Sequence, residues 1–201
     1  MTRLARILLD LQRDLTRLDI AWALVGGLAV SARAEPRFTR DIDMVVVTTQ
    51  DTEAEELVFA LRRRGYIIAA SVEHAATGRL ATVRLLPPDE SENGIIVDLI
   101  FASSGVEPEI VAAAETMEIF PGVAVSICRT AHLIVLKILA RDDEARPQDQ
   151  VDLMMLAGVT SADDWDEATR IAELVTERGY HRNRDLATAL VDLRTRARAR
   201  S

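Results

Sequence analysis

GGLAVSARAEPRFTRDIDMVVV, residues 26 to 47, is the stretch whose reading decides the fold. Gly26-Gly27 is followed, thirteen residues later, by Asp41-Ile42-Asp43, and Met44 to Thr48 is β-branched and apolar. Asp41 therefore reads as the entrance of a buried strand whose side chains alternate faces. Both carboxylates then share one face, and Ile42 points into the core. Two carboxylates held side by side on a rigid element suit a Mg²⁺ ion that keeps some of its waters and also grips phosphates.

Working upstream, Trp22 to Val25 reads as a short buried strand, and a helix is expected from Leu28 to Ala34. Glycines between a strand and a helix let backbone N–H groups approach a phosphate, and the helix N-terminus adds partial positive charge there. Arg33, Arg37 and Arg40 lie between the glycines and the aspartates. Gly26, Gly27, Arg37 and Arg40 are accordingly candidate nucleotide-binding residues.

Downstream, Ile95 to Phe101 is apolar on both faces except at Asp98, the pattern of a central strand with one ionisable intruder. A lone buried carboxylate is costly unless a cation or hydrogen bonds compensate it. A metal shared with Asp41 and Asp43 is one compensation, and a strand-end contact with solvent or a loop N–H is the other.

Of the 24 lysines and arginines, one is a lysine, Lys137, in an apolar helix expected to begin at Thr130 as N-cap. A compact ammonium on a flexible stem reaches a phosphate as a point charge, which a planar guanidinium does not imitate. Arg141, one turn on, adds positive charge toward phosphates, pairs with Asp142, or complements the helix C-terminus. After Pro147, Asp149 and Asp152 stand three apart on one face of a further helix, where acidic residues are also favoured by the helix dipole alone.

Composition bounds these readings. A chain of 201 residues with 49 % hydrophobic and 28 % charged residues is ordinary for one globular domain with a sizeable core. No apolar stretch approaches the eighteen or so residues of a membrane span. Thr2 to Leu18 places apolar residues at helical spacing and lacks the continuous apolar centre of a signal peptide. Cys128 is the sole cysteine, so no internal disulfide forms, as suits a reducing cytoplasm. The formal net charge of −8 disfavours non-specific grip on long nucleic acid, although Arg62-Arg63-Arg64 and Arg194, Arg196, Arg198 and Arg200 form local basic patches. Aromatics, at 4 %, offer no evident stacking platform, and His74, His132 and His181 have no metal-ligand spacing.

The remaining pattern predicts a helix at 52–64, strands at 66–72 and 80–86, the Asp98 strand, a helix at 108–114, and a strand pair within 117–127. Helices follow at 130–140, 147–156, 164–178 and 184–198. The class is α/β (α+β), a mixed sheet with flanking helices, with a core over 1–127 and a helical region packed on it over 128–201.

The block Arg37-Phe38-Thr39-Arg40-Asp41-Ile42-Asp43 after Gly26-Gly27 resembles the polymerase-beta-like nucleotidyltransferases, and within them the AbiEii/MenT type of toxin. The Val97-Asp98-Leu99 strand, the Lys137 helix and the Asp149/Asp152 helix extend the resemblance over roughly 20–157. It implies a nucleotidyltransferase fold and NMP transfer from an NTP to an acceptor hydroxyl, with pyrophosphate leaving. Asp41, Asp43 and Asp98 would hold two Mg²⁺ ions, Lys137 the phosphates, and Asp149 or Asp152 a positioning role. The implied acceptor is RNA, the 3′ end of tRNA, with a cognate antitoxin as protein partner. A small-molecule transferase of the aminoglycoside kind and a module that binds nucleotide or antitoxin without catalysis are the alternatives. Thr39, two residues before Asp41, shares its face, so a phosphate added there would repel an incoming triphosphate.

Overall fold

A computed structural model describes residues 1–73, 78–91, 93–142 and 147–199. His74 and Arg200, noted in the sequence, lie outside the described residues. The chain opens with α1 (Arg3–Arg17), whose Thr2 hydroxyl accepts the Ala5 N–H and whose Ile7, Leu8, Leu11 and Leu15 are buried. Then come β1 (Trp22–Val25), α2 (Gly26–Arg33), β2 (Asp41–Val46), α3 (Asp51–Arg62), β3 (Ile67–Glu73), β4 (Leu80–Leu86) and β5 (Ile96–Ile100). The second half holds α4 (Glu107–Ala112), β6 (Glu115–Phe120), β7 (Val123–Ile127), α5 (Thr130–Ala140), α6 (Gln148–Val159), α7 (Ala162–Glu177) and α8 (Leu186–Arg198).

The strands form one mixed sheet in the order β3-β4-β5-β2-β1-β7-β6. β2 sits at its centre, antiparallel to β1 and parallel to β5. Central strands are apolar on both faces because both are covered. The row Leu24, Met44, Leu99 and Val83 shows this, with exposures of 0, 0, 0 and 2 %. The adjacent row, Val25, Asp43, Asp98 and Arg84, carries the charge.

The expected elements all form, with ends moved by local chemistry. The first helix after β1 starts at Gly26 rather than Leu28, because Gly26 takes φ +65° and turns the chain directly off the strand. Arg129, not Thr130, is the N-cap residue of α5. α7 begins two residues early, where the Ser161 hydroxyl accepts from Asp164 N–H and the Asp164 carboxylate returns to the Ser161 N–H. Asp185 caps α8 by accepting from the Thr188 N–H at 2.9 Å.

The junction expected at 127/128 falls between β7 and α5. The hydrophobic core does not break there, since a single buried cluster contains Leu8, Met44 and Leu99 together with Ile134, Leu156, Ile171 and Leu190. α2 packs on β2 and also on α5 and α6, which places it between the sheet and the helical region. Arg33, at the end of α2, fastens that helix by donating to the Cys128 and Ile127 carbonyls at 3.0 and 3.2 Å and to Glu115 at 2.7 Å. Among the described residues no helix is long and apolar enough to cross a membrane.

Candidate active site

The parallel pairing of β2 with β5 sets Asp43 directly opposite Asp98, and Asp41 opposite Ile96. Cross-strand partners share a face, so the three carboxylates stand on one side of two adjacent strands. Asp41 and Asp43 are half-buried, Asp98 is buried, and Ile42 between the first two is fully buried on the other face. On its far side Asp98 meets Arg84 of β4, its register partner. Arg84 Nε donates to Asp98 Oδ1 at 2.8 Å and Nη2 donates to Oδ2 at 2.6 Å, a bidentate clasp that takes both oxygens. Sequence reading passed over Arg84. The signal was present, because an arginine inside the apolar run Leu80–Leu86 is as conspicuous as the aspartate inside Ile95–Phe101.

β1 delivers Gly26 against this row. A Cβ on Gly26 would lie 1.8 Å from Asp43 Oδ2, so the turn closes on the carboxylate. The Gly27 amide favours the ionised form of that carboxylate. The glycine turn expected to cradle a phosphate thus lies directly against this aspartate. Burial, then the charges of Asp98 and Asp41, push the Asp43 carboxyl up to about 7, against the opposing influence of Lys137 and the Gly27 amide.

Lys137 lies on α5 with its ammonium held by two acids of α6. Nζ is 2.7 Å from Asp149 Oδ1 and 2.8 Å from Asp152 Oδ2. Asp152 also receives Arg37, whose Nη2 donates to Oδ2 at 2.9 Å while Nε lies 2.7 Å from Oδ1, and Gln148, whose Nε2 donates to Oδ1 at 3.2 Å. Burial works to raise the Asp152 carboxyl. The Lys137 and Arg37 bonds outweigh it and hold the group below the usual carboxylate range. Asp149 and Asp152, left unassigned between them by the sequence, are both engaged, and Asp152 is the hub that ties α6 to α5 and to the loop before β2.

The other candidates separate. Thr39 is half-buried at the glycine turn, with its Oγ1 accepting from the Asp41 N–H at 3.3 Å and standing 3.1 Å from where a Gly27 Cβ would sit. Arg40 was expected at the nucleotide. It donates to the Asn93 carbonyl at 3.2 Å and lies over the Phe38 ring. Arg141 follows the C-terminal end of α5, where its carbonyl accepts from Arg184 and it lines a hollow with Asp142 and Asp185.

Among the described residues no group of three or more His, Cys, Asp or Glu side chains forms a ready metal cage. The clasp of Arg84 occupies both oxygens of Asp98, so that carboxylate is already paired. The donor set nevertheless fits a hard divalent cation. It is all oxygen, and it carries excess negative charge, which adds to burial in raising Asp43.

Two outcomes follow. In Asp152→Asn, Lys137 and Arg37 lose their shared buried counter-charge, and unfolding in urea should show a loss of about 3–5 kcal/mol. A loss under about 1 kcal/mol would remove Asp152 from its place as hub. Asp43 binds its proton more tightly folded than unfolded, so its stabilising contribution is whole below about pH 4 and is lost as pH rises through about 7. Metal-free Asp43→Asn should therefore gain on the wild type by on the order of 2–4 kcal/mol between pH 4 and pH 8. Parallel stability profiles for the two proteins would contradict the charge crowding.

The comparisons with known proteins agree with this fold. An antigenic nucleotidyltransferase-like protein from Paracoccidioides brasiliensis superposes with a TM-score of 0.51 at 19 % identity, covering 93 % of this chain and 91 % of that one. The antibiotic-resistance factor ANT(2'')-Ia gives 0.50 at 17 % identity, covering 98 % and 91 %. No curated protein matches the sequence. The family model described as nucleotidyl transferase AbiEii toxin, type IV TA system, matches residues 8–201, beyond the 20–157 over which the motifs alone carry the resemblance. With nearly its whole length inside that model and the nucleotidyltransferase fold beneath it, the chain belongs to the AbiEii family of nucleotidyltransferase toxins.

Proposed function

We propose that the chain transfers NMP from an NTP to the 3′ end of tRNA as the toxin of a toxin–antitoxin pair, in the cytoplasm, with two Mg²⁺ ions at Asp41, Asp43 and Asp98. The observation that carries the reading is the row of three carboxylates beside the Gly26-Gly27 turn, close enough to Lys137 for its charge to act on Asp43.

Asp41 and Asp43 are the metal ligands from β2, and Asp98 completes the set once its oxygens leave Arg84. The bound ions would supply charge neutralisation at the transferring phosphoryl group and align attacking and leaving oxygens. The acceptor hydroxyl oxygen forms its bond to the α-phosphorus as the bond to the bridging oxygen breaks, and the electron pair leaves with pyrophosphate. The hydroxyl proton passes to the Asp98 carboxylate. Lys137, held by Asp149 and Asp152, presents a fixed positive charge to the phosphates. Arg37 fixes the Asp152 carboxylate by reaching both of its oxygens. Gly26 and Gly27 keep the approach free of side chains, and the antitoxin is the protein that would restrain the activity.

Thr39 gives this site a means of control. Its hydroxyl stands at the glycine turn, so a phosphate there would meet the incoming triphosphate.

Incubating the protein with labelled NTPs, Mg²⁺ and total RNA tests the reading. Label is expected in tRNA, and Asp43→Ala should lower its incorporation by about 10²-fold or more while leaving the circular dichroism unchanged. Label in a small molecule would transfer the proposal to the aminoglycoside-type reaction, which a net charge of −8 also suits. Label nowhere would leave a binding module. Thr39→Glu should cost at least about tenfold in transfer, and full activity of that variant would end the regulatory reading.

A further inference from the structure

The proposed reaction needs Asp98, yet both of its oxygens are held by Arg84. The two halves of this pair differ in their surroundings. The Asp98 side chain is 11 % exposed and that of Arg84 is 42 %. The guanidinium therefore lies over the carboxylate from the solvent side, and it can swing away on its long stem without opening the core. It also belongs to the cross-strand row that contains Asp43, and its charge acts on Asp41 and Asp43 as well as on Asp98.

A guanidinium and a divalent cation compete for such a place. Both require carboxylate oxygens, and two positive charges in one row repel each other. A structural ion pair would be paired equally well anywhere on the sheet. This one holds both oxygens of a carboxylate of the proposed metal set.

Resting on the metal reading of Asp41, Asp43 and Asp98, we propose that Arg84 is an internal latch on Asp98. In the metal-free chain it offsets part of the charge of the carboxylates and occupies both oxygens of the third ligand, and a divalent cation must displace it to enter. Arg84 in this way sets the cation concentration at which the site fills. It is a positioning residue, acting through Asp98.

The test is a calorimetric titration of the full chain with Mn²⁺, without nucleotide. Arg84→Gln should bind Mn²⁺ about tenfold more tightly than the wild type, with Arg84→Lys between them because an ammonium cannot make the two-point clasp. The melting temperature of metal-free Arg84→Gln should fall, and Mn²⁺ should restore it. A residue that merely braced the fold would weaken the site when removed, so unchanged or weaker binding in Arg84→Gln overturns the latch. If that variant does not fold, Arg84→Lys decides alone, tighter binding supporting the latch and equal or weaker binding overturning it. Asp43→Asn separates this failure from failure of the underlying reading. Should Asp43→Asn bind Mn²⁺ as the wild type does, the carboxylate site itself is wrong; should it lose binding while Arg84→Gln changes nothing, only the latch is lost.

Discussion

Three carboxylates on one face of two adjacent strands are the constraint around which this molecule is arranged. Carboxylates on adjacent strands about 5 Å apart repel by about 3 kcal/mol per pair at an effective dielectric constant near 20. That is a large fraction of the about 5–15 kcal/mol by which a domain is stable at all. The repulsion has to be met locally, and each neighbouring element meets part of it. The Gly27 amide and, from α5, the Lys137 ammonium favour ionised Asp43, and the Arg84 guanidinium clasps Asp98.

The topology follows from the same need. With β2 between an antiparallel β1 and a parallel β5, the start of α2 arrives beside Asp43 on one side, while Asp98 arrives on the other. The helical region is not an appendage to this arrangement. α5 brings the lysine, α6 brings Asp149 and Asp152 to hold it, and Arg37 reaches back from the loop before β2 to close the network. Ordinary surface ion pairs contribute about 0–1 kcal/mol. This network is buried, with the Asp152 side chain at 0 % exposure, so its loss would strand two cations at once.

Much of this was legible in the residues. Alternation put Asp41 and Asp43 on one face and Ile42 in the core, and the apolar run around Asp98 marked a central strand. A solitary lysine in an apolar helix marked a charge with a purpose. What was not legible depends on register and on partners distant in the chain. Nothing in the order of residues says that Arg84 pairs with Asp98, fourteen positions away, or that Arg37 turns to Asp152, 115 positions away, while Arg40 turns to Asn93. Charge near a motif is read from sequence as affinity for ligand. Its direction is decided by which face of the strand the neighbouring residues occupy, and by which acid reaches it first.

Lys137 has a consequence for the bench chemist. Among these 201 residues it is the sole source of an ε-amine, so an amine-selective acylating reagent meets one side chain. The side chain is 13 % exposed and gripped by Asp149 and Asp152, which makes it a slow target while the network is closed. The mass added to one peptide thus becomes a gauge of how often helices α5 and α6 part.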